Sequence, residues 1–184
     1  MRSFLFIIFI AFSACTTRLN VWDVVLENVS GEITKIEPSK NKLTVIYFLS
    51  PECPLCVNYT LAMRNLEQEF GSDDLKFLGI FAKEWYSPEE VKNFALKYKL
   101  DFEMLFDDGN KLAHVLDATV TPEVFVLNSN SEIIYSGKID NWVNELGKKK
   151  LEVSDHYLEN ALIAWHDGKA IEPNRTKPVG CLIE

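Results

Sequence analysis

The chain has 184 residues, 47% of them hydrophobic and 12% aromatic, enough for one domain with its own core. Its 19 basic residues against 27 acidic ones give a net charge of −8. That balance disfavours nucleic acid as a partner, and the short run Lys148-Lys149-Lys150 reads as a solvated loop.

Residues 1–14 read MRSFLFIIFIAFSA: one arginine, an apolar stretch from Phe4 to Phe12, then small residues. The pattern is that of an export signal, too short to span a bilayer stably. Phe12-Ser13-Ala14-Cys15 resembles a bacterial lipoprotein cleavage site. That resemblance implies that Cys15 becomes the lipidated N-terminus, with residues 15–19 as a tether. Thr16 after it, rather than Asp, implies an outer-membrane address facing the periplasm. Ordinary signal cleavage, with Cys15 incidental, is the alternative.

Asn20–Glu27 and Glu32–Ile36 alternate around Gly31 and predict a hairpin or a pair of edge strands. Leu43–Leu49 (LTVIYFL) is nearly all apolar and β-rich, as a strand buried on both faces must be. Val57–Phe70 places Leu61, Met63, Leu66 and Phe70 at helical spacing and stops at Gly71. Leu75–Ala82 predicts a second buried strand. Ser87 caps, and Pro88 opens, a helix reaching about Lys99. A short strand at Phe102–Phe106, a short helix at Gly109–Leu116 and a hairpin Glu123–Asn128/Glu132–Ser136 follow. Ser154-Asp155 is expected to cap a last helix running to about His166, and residues 167–184 form an irregular tail with Pro173 and Pro178. The order predicts an α/β fold with a mixed central sheet over residues 20–166.

The chemistry concentrates in Cys53-Pro54-Leu55-Cys56, between the first buried strand and the first long helix. Two thiols one helical turn apart can share a disulfide and store two electrons. The first faces the free amides and positive dipole end of the helix, which favour the thiolate that attacks disulfides. A zinc site needs a second ligand pair, and no other CxxC, HxxxH or CxxH occurs. Copper held by the two thiolates and a histidine, or a pair of inert buried cysteines, are the other readings. The three histidines, His114, His156 and His166, read more naturally as packed or surface side chains than as ligands. No cofactor is implied, and no metal is assigned.

YFLSPECPLC followed, after a helix–strand insertion, by Val120-Thr121-Pro122-Glu123-Val124-Phe125-Val126-Leu127 resembles the thioredoxin superfamily, and within it the redoxin branch of TlpA-like and peroxiredoxin-like proteins. The resemblance implies a thioredoxin-like fold with extra N-terminal strands. It also implies a cis bond before Pro122, placing Thr121 and Pro122 opposite the dithiol to align an extended partner chain. The ending Thr176-Lys177-Pro178-Val179-Gly180-Cys181-Leu182-Ile183 is similar to the tail of a subgroup of envelope redoxin-domain proteins.

These readings together imply a membrane-tethered envelope thiol–disulfide oxidoreductase in which Cys53 attacks and Cys56 resolves a mixed disulfide. Protein thiols and disulfides of the envelope are the expected partners. Copper delivery is the alternative from a different class, and thiol peroxidase a further one. Peroxidatic members have Pro seven residues before the reactive cysteine and Thr three before it, where this chain has Ile46 and Ser50. Cys181 is left over if Cys53 and Cys56 pair. It is either a third redox thiol carried on a flexible tail or a small apolar residue packed beside Leu182 and Ile183. Trp85-Tyr86 is expected as core or as a rim to the site, and Asp101, Asp107 and Asp108 as a solvated loop group.

Overall fold

The computed structural model describes residues 19–37, 43–72 and 74–183. The signal segment, Cys15 and most of the tether lie outside them. Seven strands form one mixed sheet: β1 (Val25–Asn28), β2 (Ile33–Lys35), β3 (Leu43–Phe48), β4 (Leu75–Ala82), β5 (Glu103–Asp107), β7 (Glu123–Asn128) and β8 (Ile133–Gly137). Their order across the sheet is β2-β1-β5-β4-β3-β7-β8. Every residue of β3 is buried, because β3 lies at the sheet's centre with both faces covered. β3 runs parallel to β4 and antiparallel to β7, the latter in continuous register from Leu43↔Asn128 to Phe48↔Glu123.

Helices α1 (Pro54–Phe70), α2 (Pro88–Tyr98), α3 (Lys111–Leu116) and α4 (Tyr157–His166) complete the frame. α1 buries Leu55, Cys56, Tyr59, Met63 and Leu66, the three-and-four spacing of one helix face. Its N-cap is Cys53, with Pro54 at the first helical position, where a missing amide hydrogen costs nothing. α2 starts from a capping box in which the Ser87 and Glu90 side chains each serve the other's backbone amide. The sheet separates two apolar clusters. One contains Tyr47, Cys53, Cys56, Met63 and Phe81, the other Ile46, Phe48, Leu78, Leu112 and Phe125.

Three sequence expectations change. Ser154 and Asp155 do not cap α4; His156 holds the N-cap position without a side-chain bond. Ser154 and Asp155 instead bind Asn141, a residue only 1% exposed whose amide would otherwise be unsatisfied. Lys148 and Lys149 are not loop residues but a two-residue strand, β10 (Lys148–Lys149), paired with β9 (Val143–Glu145). The tail is not loose: Ser136 donates to the Asn174 carbonyl at 3.1 Å, and Thr176 donates back to Ser136 at 2.9 Å.

The segment after β8 is tied to α1 through Asp140. Tyr59 Oη and the Trp142 amide both donate to Asp140 Oδ1, at 2.6 and 2.8 Å. A hydrogen bond to a carboxylate contributes about 1.5–3 kcal/mol. Tyr59→Phe is therefore expected to lower unfolding free energy by about 2 kcal/mol in urea titration, and an unchanged midpoint would show that the bond stabilises nothing.

Candidate active site

The site is built where β3 ends. Leu49 continues the β3–β4 pairing through its amide to Ile80, at 2.8 Å, and the chain then turns over Pro51-Glu52 into α1. The Cys53 amide donates to both the Ser50 carbonyl and Ser50 Oγ, each at 3.2 Å. Ser50 Oγ in turn lies 2.7 Å from Tyr86 Oη, so the Trp85-Tyr86 pair does border the site. One turn into α1, Cys56 receives the Ser50 amide on its sulfur at 3.4 Å.

Opposite the helix start lies β6 (Val120–Thr121), whose Thr121–Pro122 bond is cis. The Thr121 carbonyl oxygen stands 3.1 Å from Cys53 Sγ. Thr121 also approaches the deeper thiol: its hydroxyl is buried without a well-formed partner and pulls weakly on Cys56. The structure therefore brings together Cys53, Cys56, Thr121 and Pro122.

It also brings in Cys181. A disulfide joins Cys53 to Cys181, 128 positions apart in sequence, with their Cα atoms 6.1 Å apart. Cys181 lies on β11 (Cys181–Leu182), which pairs antiparallel with β6 in the register Cys181↔Thr121 and Leu182↔Val120. The expected Cys53–Cys56 bond is not the one present, and Cys56 is a free, buried thiol. Cys181 is half-buried against the same apolar cluster as Cys53, but its sulfur is bonded at the site rather than packed there as an inert side chain.

The two dithiol sulfurs differ sharply in environment. Burial pushes the Cys56 thiol up to about 12, with the Ser50 amide and the Thr121 side chain only partly opposing. At pH 7 a thiol of that acidity is ionised in on the order of one molecule in 10⁵. Cys53 sits at the N-cap, where it makes no side-chain capping bond in this disulfide state.

Two buried carboxylates shape the surroundings, and neither was visible as a site residue in the sequence. Glu123 Oε2 accepts from the Thr119 amide at 2.8 Å and the Val120 amide at 3.3 Å, holding β6 from behind. Asp107 is 1% exposed rather than solvated, because its carboxylate binds the Leu112 and Ala113 amides at the start of α3. Burial raises both carboxyls above the usual range, against the pull of those amides. Asn110 stands at the α3 N-cap without a side-chain capping bond, and Asp107 serves the amides in its place; nothing in the sequence pointed to Glu123.

A cleft of about 380 Å³ opens beside the sulfurs, lined by Phe48, Ser50, Trp85, Tyr86, Asp107 and the tail residues Cys181–Ile183 among others. None of the three histidines lines it; His156 lies beside Glu159 and His166 beside Asp167 at the surface. Among the described residues no cluster of three or more His, Cys, Asp or Glu side chains could hold a metal ion.

A mixed sheet with a CxxC at a helix start and a cis-proline strand facing it is a thioredoxin-like fold. Residues 19–136 match the AhpC/TSA family, and the chain belongs to that family. It is 28% identical over 123 residues to peroxiredoxin Q of Sedum lineare, covering 61% of this chain and 64% of that one. It is 28% identical over 145 residues to peroxiredoxin Bcp of Bacillus subtilis, covering 74% and 87%. With the thiol-disulfide oxidoreductase ResA of Halalkalibacterium halodurans it shares 25% over 111 residues, 60% and 61% of the two chains. The chain thus spans less than two thirds of the peroxiredoxin Q and ResA relatives. Among solved structures, an uncharacterized conserved protein from Geobacillus kaustophilus superposes with a TM-score of 0.76 at 26% identity, over 88% of this chain and 87% of that one.

The raised Glu123 pKa carries a sign. The folded chain holds this proton more tightly than the unfolded one, so the contribution is complete below the ordinary value of 4.5 and is lost as pH rises through the folded pKa. Relative to Glu123→Gln, the wild type should lose stability as pH rises from about 4 toward neutrality. A pH-independent difference between the two unfolding curves would contradict this.

Proposed function

We propose that the chain is a thiol–disulfide oxidoreductase acting on protein thiols and disulfides of the cell envelope, held at the membrane by a lipid on Cys15. The observation that carries the activity is the division between the two α1 sulfurs. Cys53 is the one already engaged with a strand paired to β6, while Cys56 stays a buried thiol one turn behind it. The ResA likeness supports the same reading.

In the reducing direction, the Cys53 thiolate attacks one sulfur of a partner disulfide. A Cys53–partner bond forms, and the other partner sulfur leaves as a thiolate and takes up a proton. Cys56 then gives up its proton and attacks Cys53 Sγ, releasing the partner as a thiol and leaving Cys53–Cys56 oxidised. Two electrons pass to the partner, and the reverse sequence oxidises a dithiol. The amide and carbonyl edge of β6 orients the partner chain as an added strand.

Insulin disulfide reduction driven by dithiothreitol tests this. Cys53→Ser should abolish turnover, and Cys56→Ser should accumulate mixed disulfides that Cys53→Ser does not. Because burial pushes the Cys56 thiol up to about 12, resolution should quicken about tenfold per pH unit between 7 and 10. Trapping by the Cys53 variant alone would reverse the roles, and a rate flat above pH 7 would remove the buried-thiol step.

Thiol peroxidase action is a second reading, supported by the AhpC/TSA membership and the peroxiredoxin relatives. Against it, Ile46 and Ser50 stand where the peroxidatic pattern has Pro and Thr. Neither Arg64 nor Arg175 lines the cleft. Hydroperoxide consumption with a dithiol donor decides between the two.

The membrane address rests on residues 1–15, outside the described part of the chain. The full chain should partition into detergent, and Cys15→Ala should move it to the aqueous phase. An unmodified Cys15 in a freely soluble wild type would end the tether.

A further inference from the structure

The groove that a partner strand would use is filled by this chain's own tail, and two glycines make that possible. A Cβ on Gly180 would collide with the Thr121 backbone, and one on Gly137 (φ +125°) with Thr176, where the tail crosses the edge of β8. The tail is anchored there: Thr176 Oγ1 accepts from the Lys138 amide at 2.8 Å and lies 3.0 Å from Tyr135 Oη. Beyond the anchor come Lys177-Pro178-Val179-Gly180 and then the strand. Val179 and Cys181 pack against one apolar cluster and Ile183 against the other, while Leu182 points outward. The Ile183 amide donates to the Thr119 carbonyl at 3.0 Å, extending the pairing past β11. With the tail in place Cys53 is 2% exposed, so no partner reaches it.

We propose that Lys177–Ile183 is a built-in substrate strand, released when Cys56 exchanges the Cys53–Cys181 disulfide for Cys53–Cys56. The inference rests on the oxidoreductase reading for its consequence, since release opens Cys53's surroundings to a partner, but the exchange itself needs no partner. Cys56 loses its proton to solvent and its thiolate attacks Cys53 Sγ. The Cys53–Cys181 bond breaks as Cys53–Cys56 forms, and Cys181 leaves as a thiolate and is protonated. One disulfide and one thiol stand on each side, so no oxidant or reductant is consumed. Burial keeps Cys56 protonated near neutral pH, so it is a reluctant attacker, and exchange out of the closed form quickens as the pH rises. The tail also states what a partner must offer: an extended segment whose residue before the cysteine carries no side chain against the Thr121 carbonyl.

The test is disulfide mapping by mass spectrometry on the oxidised full chain, quenched in acid after incubation at pH 6 and pH 9. Wild type should contain both Cys53–Cys181 and Cys53–Cys56, with the latter gaining after incubation at pH 9. Gly180→Ala keeps every sulfur and should move the ratio at least tenfold toward Cys53–Cys56. Cys181→Ser should hold Cys53–Cys56 alone and reduce insulin several-fold faster from the start of the assay. Cys53–Cys181 as the sole species in wild type and Gly180→Ala at both pH values would make it a static bond and overturn the switch. So would a Cys181 that stays a free thiol throughout. Exchange without any insulin turnover would leave the switch standing and sink the oxidoreductase reading. Turnover unaffected by Cys181→Ser, with no Cys181 disulfide found, would do the reverse.

Discussion

The antiparallel register of β3 and β7 is the constraint on which the site depends. Six paired positions, from Leu43↔Asn128 to Phe48↔Glu123, fix the end of β3 against the start of β7. The chain leaving β3 becomes the Cys53 turn, and the chain entering β7 is Thr121-Pro122. A slip by one residue would turn each side chain to the opposite face and carry Thr121 away from Cys53. The buried apolar faces on both sides of β3 prevent that slip, so the sulfur-to-carbonyl distance of 3.1 Å is set by core packing rather than by local loop preference.

Around that frame, polar groups are buried at a cost and serve position. Glu123 gives up solvation to hold the amides of Thr119 and Val120, which leaves the outer edge of β6 straight enough to take another strand. Asp107 does the same for α3 on the cleft's far wall. Cys56 is buried without a charge partner, so it waits as a thiol. The asymmetry between the two cysteines therefore follows from depth: one caps the helix at the cleft, and the other is covered by the helix's own first turn and Ser50.

Much of this was legible in the sequence because local signals and the global fold agree. LTVIYFL and LKFLGIFA are apolar throughout, as strands covered on both faces must be, and Ser87-Pro88-Glu89-Glu90 carries its capping chemistry in four residues. The CxxC and the Thr-Pro motif mark the two sides of the site. What sequence could not show were the pairings that depend on distant chain. Ser154-Asp155 reads as a helix cap until Asn141 is brought beside it. Asp107 reads as a loop carboxylate until α3 folds over it. Cys181 has no local pattern that names its partner; only the docking of the tail across β8 and β6 brings it to Cys53. Gly137 and Gly180 carry that information, but as a close approach between segments that no periodicity encodes.

The central claim is that the fold assigns different chemistry to the two α1 cysteines by burying one of them. Alkylation of the fully reduced, folded chain with iodoacetamide, followed residue by residue from pH 6 to pH 10, measures that most directly. Cys53 and Cys181 should be modified well before Cys56, which burial should keep intact until the medium is strongly alkaline. Modification of Cys56 as fast as Cys53 at pH 7 would contradict the account.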